Sequence, residues 1–218
     1  MTKLCIFDLD GTVLDTVKTI AYYGNYALSK HGIEPIAVKE YNYFAGNGAV
    51  NLIKRALRFR DALTDETFEK VFADYNTAYN ANTSYLTAPF EGIVETLDAI
   101  KAKGIKMAIL SNKPHFATCG VITSLFGEGY FDVVYGQREG VPIKPDPTAV
   151  LGILQELGAK PEECLYVGDT GTDMRTGKNA NLPTVGVTWG FRGKEELLEG
   201  GADMIIDKPQ QLLDCITI

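Results

Sequence analysis

No run of about eighteen or more uncharged apolar residues occurs in the 218-residue chain, and the N-terminus lacks a basic stretch leading into an apolar one and a small-residue cleavage site. A spanning helix and a secretory leader are therefore not expected, and a cytoplasmic protein is. Positive charge is scarce: 21 Lys and Arg face 28 Asp and Glu, a net charge of −7. That balance argues against broad electrostatic binding of nucleic acid or of an acidic membrane, and it means that an anionic ligand needs local help. Cysteine is sparse as well. Cys5, Cys119, Cys164 and Cys215 are widely spaced with no C-x-x-C pair, which excludes a zinc site or dithiol motif of that kind and leaves buried reduced thiols as the expectation. The two histidines, His31 and His115, read as structural or solvent-facing. At 45% hydrophobic residues the chain is rich enough for a full core, as one large domain or one domain with an insertion.

What the chain does contain is an alternation. The apolar runs "IKMAILSN", "YFDVVYG", "ECLYVGD", "PTVGVTW" and "ADMIID" are separated by helical patterns such as "IVETLDAIKAKG" and "TAVLGILQELG". With "LCIFDLD" they predict about six strands in a Rossmann-like parallel sheet covered by helices, an α/β fold. From Asp15 to Ala88 the strand pattern stops and about three or four helical segments replace it. This predicts a helical cap inserted after the first strand, with the core at 1–14 and 89–218 and the cap at 15–88. Within it, Phe68, Phe72, Tyr75 and Tyr79 recur at helical spacing after a capping Thr64, a stripe assigned to the cap's own core. The basic run Lys54, Arg55, Arg58 and Arg60 reads as a solvated helix face, with a carboxylate-binding role open to one of its members. Because the insertion leaves just after "DLDGT" and returns at "APFEG", it is placed to act as a lid.

In open parallel sheets, ligands bind beyond the carboxyl ends of the strands. There the sequence puts Asp8 and Asp10, then Ser111 and Asn112, then Lys144 in "VPIKPDP", then Asp169 and Asp173. Each one alone has an ordinary explanation as a cap or turn, and Asp169 with Thr170 could simply start a helix. Together they are hard to explain by capping. Two carboxylates about 4 Å apart repel by about 4 kcal/mol at an effective dielectric near 20, so the aspartates require a cation or protons. Oxygen ligands without histidine or cysteine favour a hard ion such as Mg²⁺, and a lysine, a hydroxyl and backbone N–H groups complete a cradle for a phosphoryl group.

"DLDGT", "LSNK", Lys144 in "IKPDP" and "GDTGTD", in this order and spacing, resemble the four motifs of the haloacid dehalogenase superfamily, in its phosphatase branch. The resemblance implies that Asp8 is a nucleophile forming an aspartyl-phosphate and Asp10 a general acid and base. It implies Mg²⁺ held by Asp8, the backbone carbonyl of Asp10 and Asp169, with Asp173 nearby or bound through water. Ser111, Asn112 and Lys144 are then the phosphate-binding residues. The segment "FAGNGAVNLIKRALRF" resembles the cap of bacterial phosphoglycolate phosphatases, which makes Gly46, Asn47 and Gly48 a candidate substrate loop and 2-phosphoglycolate the expected substrate. An ordinary helix-entry turn is the alternative for that loop. Beta-phosphoglucomutases are similar too, but they place an arginine in this loop and a histidine in the first cap helix; here Gly48 stands in the loop and no histidine precedes His31. An inorganic pyrophosphatase or a broad sugar-phosphate phosphatase is the second enzyme reading, and a phosphate-binding regulatory domain the non-enzymatic one. The expected partner is a small anionic phosphate, with no nucleic acid and no membrane, and the protein a monomer or homodimer.

Overall fold

The computed structural model describes residues 1–216. Its strands are β1 (Leu4–Phe7), β2 (Leu14–Asp15), β3 (Ala88–Pro89), β4 (Lys106–Pro114), β5 (Val133–Gln137), β6 (Cys164–Gly168), β7 (Thr184–Val187) and β8 (Met204–Ile206). The helices are α1 (Val17–Lys30), α2 (Val38–Phe44), α3 (Gly48–Phe59), α4 (Asp65–Ala81), α5 (Ile93–Ala102), α6 (His115–Phe126), α7 (Thr148–Leu157), α8 (Gly171–Asn179), α9 (Lys194–Glu199) and α10 (Leu212–Cys215).

The six apolar runs form one parallel sheet in the order β5-β4-β1-β6-β7-β8. Strand β1 lies inside it and all four of its residues are buried. Cys5 and Phe7 point to the face covered by α5 and α6, while Leu4 and Ile6 point to the face covered by α7. Apolar contacts on both faces are why this strand reads as a continuous hydrophobic run rather than an alternating one. From β1 the chain builds outward through β4 and β5, then crosses back to β6 on the other side of β1 and continues to β8. The carboxyl ends of β4, β1 and β6 therefore border the point where the winding reverses, the crevice in which such sheets bind ligands. All four cysteines are free, and among the described residues no helix is long and apolar enough to cross a membrane.

Helices α1 to α4 sit between β2 and β3, which pair as an antiparallel ribbon of two residues each where the chain leaves and re-enters the core. They share a separate apolar cluster that includes Ile20, Leu28, Tyr41, Ile53, Leu57 and Val71. Tyr75 and Tyr79 belong to it, with Phe68 and Phe72 packed against it. Thr64 caps α4 by accepting from the Thr67 N–H at 3.1 Å. A core loop also enters this cluster: Phe191, just beyond β7, is buried among the cap residues. Its neighbour Arg192 donates to the carbonyls of Asn42, Tyr43 and Ala45 at the end of α2, which the helix leaves without internal partners.

Candidate active site

Asp8 continues β1, since its N–H still donates to the Val167 carbonyl of β6 at 2.9 Å. The chain must then turn sharply under the end of β6. Gly11 makes this possible: its φ is +92°, and a Cβ there would lie 2.3 Å from the Asp169 Oδ2 atom. Asp169 follows β6, its Oδ1 accepting from the Thr12 hydroxyl at 3.1 Å and its Oδ2 from the Phe191 N–H at 2.7 Å. Asp173 lies in the first turn of α8, where Thr170 is the N-cap. The capping reading of this segment and the cluster reading both hold. Asp173 Oδ2 accepts from the Thr170 N–H and hydroxyl, and its Oδ1 accepts from Lys144 Nζ at 2.7 Å.

Lys144 joins the segments. From the loop between β5 and α7 it donates to Asp8 Oδ1 at 2.7 Å and to the Leu110 carbonyl at 3.2 Å as well as to Asp173. Burial works against its charge, but Asp173 and Asp8 outweigh it and hold the ammonium well above its ordinary pKa. One lysine does not neutralise three carboxylates. Asp8, Asp169 and Asp173 are buried, each with an oxygen within 4.8 Å of the others, and Asp169 has no ion-pair partner of its own among the described residues. Burial, then repulsion from Asp173, pushes the Asp8 carboxyl up to about 7 against the pull of Lys144. Burial and the same repulsion push Asp169 well above the carboxylate range. A tight, all-oxygen, over-negative site of this kind fits a small hard divalent cation such as Mg²⁺. The Asp10 carboxylate stays outside the cluster.

Strand β4 supplies the other wall. Between Leu110 and Pro114 it runs four residues while β5 runs two, a bulge that re-aims the strand at its carboxyl end. Ser111, Asn112 and Lys113 consequently all line the cleft. The Ser111 hydroxyl oxygen accepts from the Lys113 N–H at 3.2 Å. The Asn112 side chain braces its neighbours, accepting from the Lys144 N–H at 2.8 Å and donating to the Gly46 carbonyl of the cap at 3.1 Å. Lys113 is a residue that motif reading passed over. Its Nζ is 2.8 Å from Asp10 Oδ1 and its side chain is buried under the Tyr79 ring. Its place in "LSNK" was visible in the sequence; the bulge that turns it inward was not.

Residues of α1, α3 and α4 and of the loop before α3 line the facing side of the cleft. Gly46, Gly48 and Ala49 line it, with φ values of +100° and +80° at the two glycines, and α3 begins there with no side-chain cap from Asn47. Asn47 itself turns away, accepting from Arg55 at 2.7 Å and donating to Thr172 at 3.3 Å. Tyr75 and Tyr79, expected only in the cap's own core, also reach the cleft, together with Asn76 and Asn80. The four members of the cap's basic run do not line it. The cavity left between the two sides is small, about 60 Å³, and partly open to solvent.

Comparison with known proteins agrees with this layout. The family model described as haloacid dehalogenase-like hydrolase matches residues 5–187. A Pseudomonas aeruginosa protein named phosphoglycolate phosphatase 1 is 31% identical over 218 residues, 99% of this chain and 80% of its own. An Aquifex aeolicus phosphoglycolate phosphatase is 34% identical over 189 residues, covering 87% and 86% of the two chains. A crystal structure from Lactobacillus delbrueckii subsp. bulgaricus, provisionally named a phosphoglycolate phosphatase, superposes with a TM-score of 0.94 at 30% identity over 99% of both chains. With four polar segments gathered beyond the carboxyl ends of the strands and a family match over residues 5–187, this chain belongs to the haloacid dehalogenase-like hydrolase family.

Proposed function

We propose that the protein hydrolyses a small phosphate monoester by way of a phosphorylated Asp8, that Mg²⁺ assists, and that the substrate is 2-phosphoglycolate. The observation that carries the reading is the pairing of the buried Asp8–Asp169–Asp173 cluster and Lys144, which meets the cleft at Asp8, with a second carboxylate lining that cleft, Asp10, held apart from the cluster. Asp8, Asp169 and Asp173 would hold the ion, which when bound offsets negative charge on the phosphoryl oxygens. The Asp8 carboxylate attacks phosphorus while the bond to the leaving oxygen breaks, and Asp10 gives that oxygen its proton. Asp10 then takes a proton from the water that attacks phosphorus, and the bond to Asp8 breaks to release inorganic phosphate. Ser111 and Lys144 hold the phosphoryl oxygens, and Asn112 keeps Lys144 and the cap loop in place. The substrate assignment is supported by the names of the relatives and by a cleft whose cap side is a glycine loop at a helix start, suited to a compact anion.

The test is phosphate release from 2-phosphoglycolate, pyrophosphate, hexose phosphates and an aryl phosphate, with Mg²⁺, with Ca²⁺ and after chelation. The expected result is Mg²⁺-dependent turnover, suppressed by the larger ion and highest in kcat/KM for 2-phosphoglycolate. A tenfold preference for pyrophosphate or a hexose phosphate would overturn the substrate; full activity after metal removal would overturn the metal.

A further inference from the structure

An anionic leaving group gains from a cation in the cleft beyond the backbone N–H groups of the glycine loop, and the cap's own basic run does not provide one. Arg55 donates to the carbonyls of Tyr43 and Phe44 and to Asn47, Arg60 donates to the carbonyls of Glu34 and Pro35, and the Lys54 ammonium sits 5.0 Å from the Phe68 ring centroid. Among the described residues lining the cleft, Lys113 is the one cation. It is 8% exposed, comes from the core rather than the cap, and faces Asp10 at 2.8 Å. Lys144, by contrast, is already shared between Asp8 and Asp173. An ammonium has three donors; on Lys113 the Asp10 oxygen takes one and the Tyr79 side chain engages another, which leaves one for a ligand. Around it, α4 presents the amides of Asn76 and Asn80, one turn apart, and the Tyr79 ring at 5.1 Å.

We propose that Lys113, with Asn76, Asn80 and Tyr79, forms a subsite that receives a carboxylate on the leaving group, so that charge beside the ester, and not size alone, selects the substrate. This rests on the phosphatase reading above and adds to it the residue that reads the leaving group. Ser111 and Lys113 both line the cleft from the same bulged stretch, so in this proposal one small substrate meets Ser111 at its phosphoryl group and Lys113 at its leaving group. In this water-poor position a charge-assisted hydrogen bond has its full effect, whereas a neutral leaving group of equal size leaves Lys113 with only Asp10 and the Tyr79 side chain.

The experiment compares kcat/KM for 2-phosphoglycolate and for 2-hydroxyethyl phosphate, which carries an alcohol in place of the carboxylate, using Mg²⁺-loaded wild type, Lys113→Gln and Lys113→Arg. The wild type should favour the carboxylate about tenfold or more. Lys113→Gln should reduce that ratio about 10- to 100-fold, and Lys113→Arg should restore part of it. If Lys113 serves only to balance Asp10, both substrates fall together, the ratio stays put, and the proposal is wrong. Should Lys113→Gln fail to fold, the double variant Asn76→Ala/Asn80→Ala, at cleft-lining positions of α4 outside the cap's apolar core, should lower the same ratio, and an unchanged ratio there counts against the subsite. If the wild type acts poorly on both two-carbon compounds, 2-phosphoglycolate is the wrong substrate. Lys113 is then judged by the same variants on 3-phosphoglycerate against glycerol 3-phosphate, where no preference for the carboxylate overturns it.

Discussion

Asp8 and Asp10 are two residues apart and live in different electrostatic surroundings. Asp8 shares Lys144 with Asp173 in a cluster that is short of positive charge, whereas Asp10 has Lys113 to itself. Asp8→Asn keeps the shape and one oxygen for Lys144 but removes the attacking carboxylate, so turnover should fall by at least about 10³-fold with the circular dichroism spectrum unchanged. Asp10→Asn should lose about 10²- to 10⁴-fold, and the loss should be smaller for an aryl phosphate, whose leaving oxygen needs little proton assistance. Near-wild-type turnover of the Asp8 variant would end the covalent mechanism. Asp8, Asp10, Ser111 and Asp169 were legible because several apolar runs end in polar residues together, and Lys144 and Asp173 because "IKPDP" and "GDTGTD" follow in a matching order. The burial and pairing of Lys113 were not, because a lysine after a strand reads as solvated until a neighbouring carboxylate is placed against it.

At the scale of elements, the long apolar runs gave the sheet and its parallel sense, since only strands covered on both faces show that pattern. The two-residue ribbon β2–β3 was beyond reach because two residues carry no period. The stripe on α4 was legible as packing, but periodicity cannot say that a helix face continues past its core into a cleft, as it does at Tyr75 and Tyr79. The start of α3 makes a sharper prediction. Gly48→Val forces a β-branched residue into a positive φ, a strain of about 1–3 kcal/mol. It should reduce kcat/KM for the small preferred substrate more than for an aryl phosphate, while the Mg²⁺ dependence stays the same. Equal losses on both would mean that the loop does not face the leaving group. Arg192→Ala removes the donors that satisfy the end of α2. It should lower stability by about 1–2 kcal/mol, which thermal unfolding would read as a fall of roughly 2–8 °C for a chain of this size. No measurable shift would show that water replaces the guanidinium without loss.

For the whole molecule, the carboxylate cluster ties stability to pH and to metal in opposite senses. In metal-free protein the Asp8 carboxyl titrates near 7, against an ordinary value of 3.8. Between those limits the folded state holds a proton that the unfolded chain has released, so this contribution is complete below about 4 and is lost as pH rises through 7. Asp169 shifts in the same direction. A cation needs the ionised carboxylates, so the gain in Tm on adding Mg²⁺ to chelated protein should be larger at pH 8 than at pH 5. The reverse order, or equal gains, would mean that these aspartates are not the ligands. The same molecule also limits how its parts can be exchanged. Two adjoining residues far along the chain serve both lobes: Phe191 binds Asp169 through its backbone while its ring sits in the cap, and Arg192 holds the end of α2. Anyone transplanting a cap between relatives by cutting at the ribbon would therefore carry over only part of the module. The recipient's Phe191 would meet a foreign surface, and the misfit would pass directly to Asp169. The unit that can be grafted is the cap together with this distant loop.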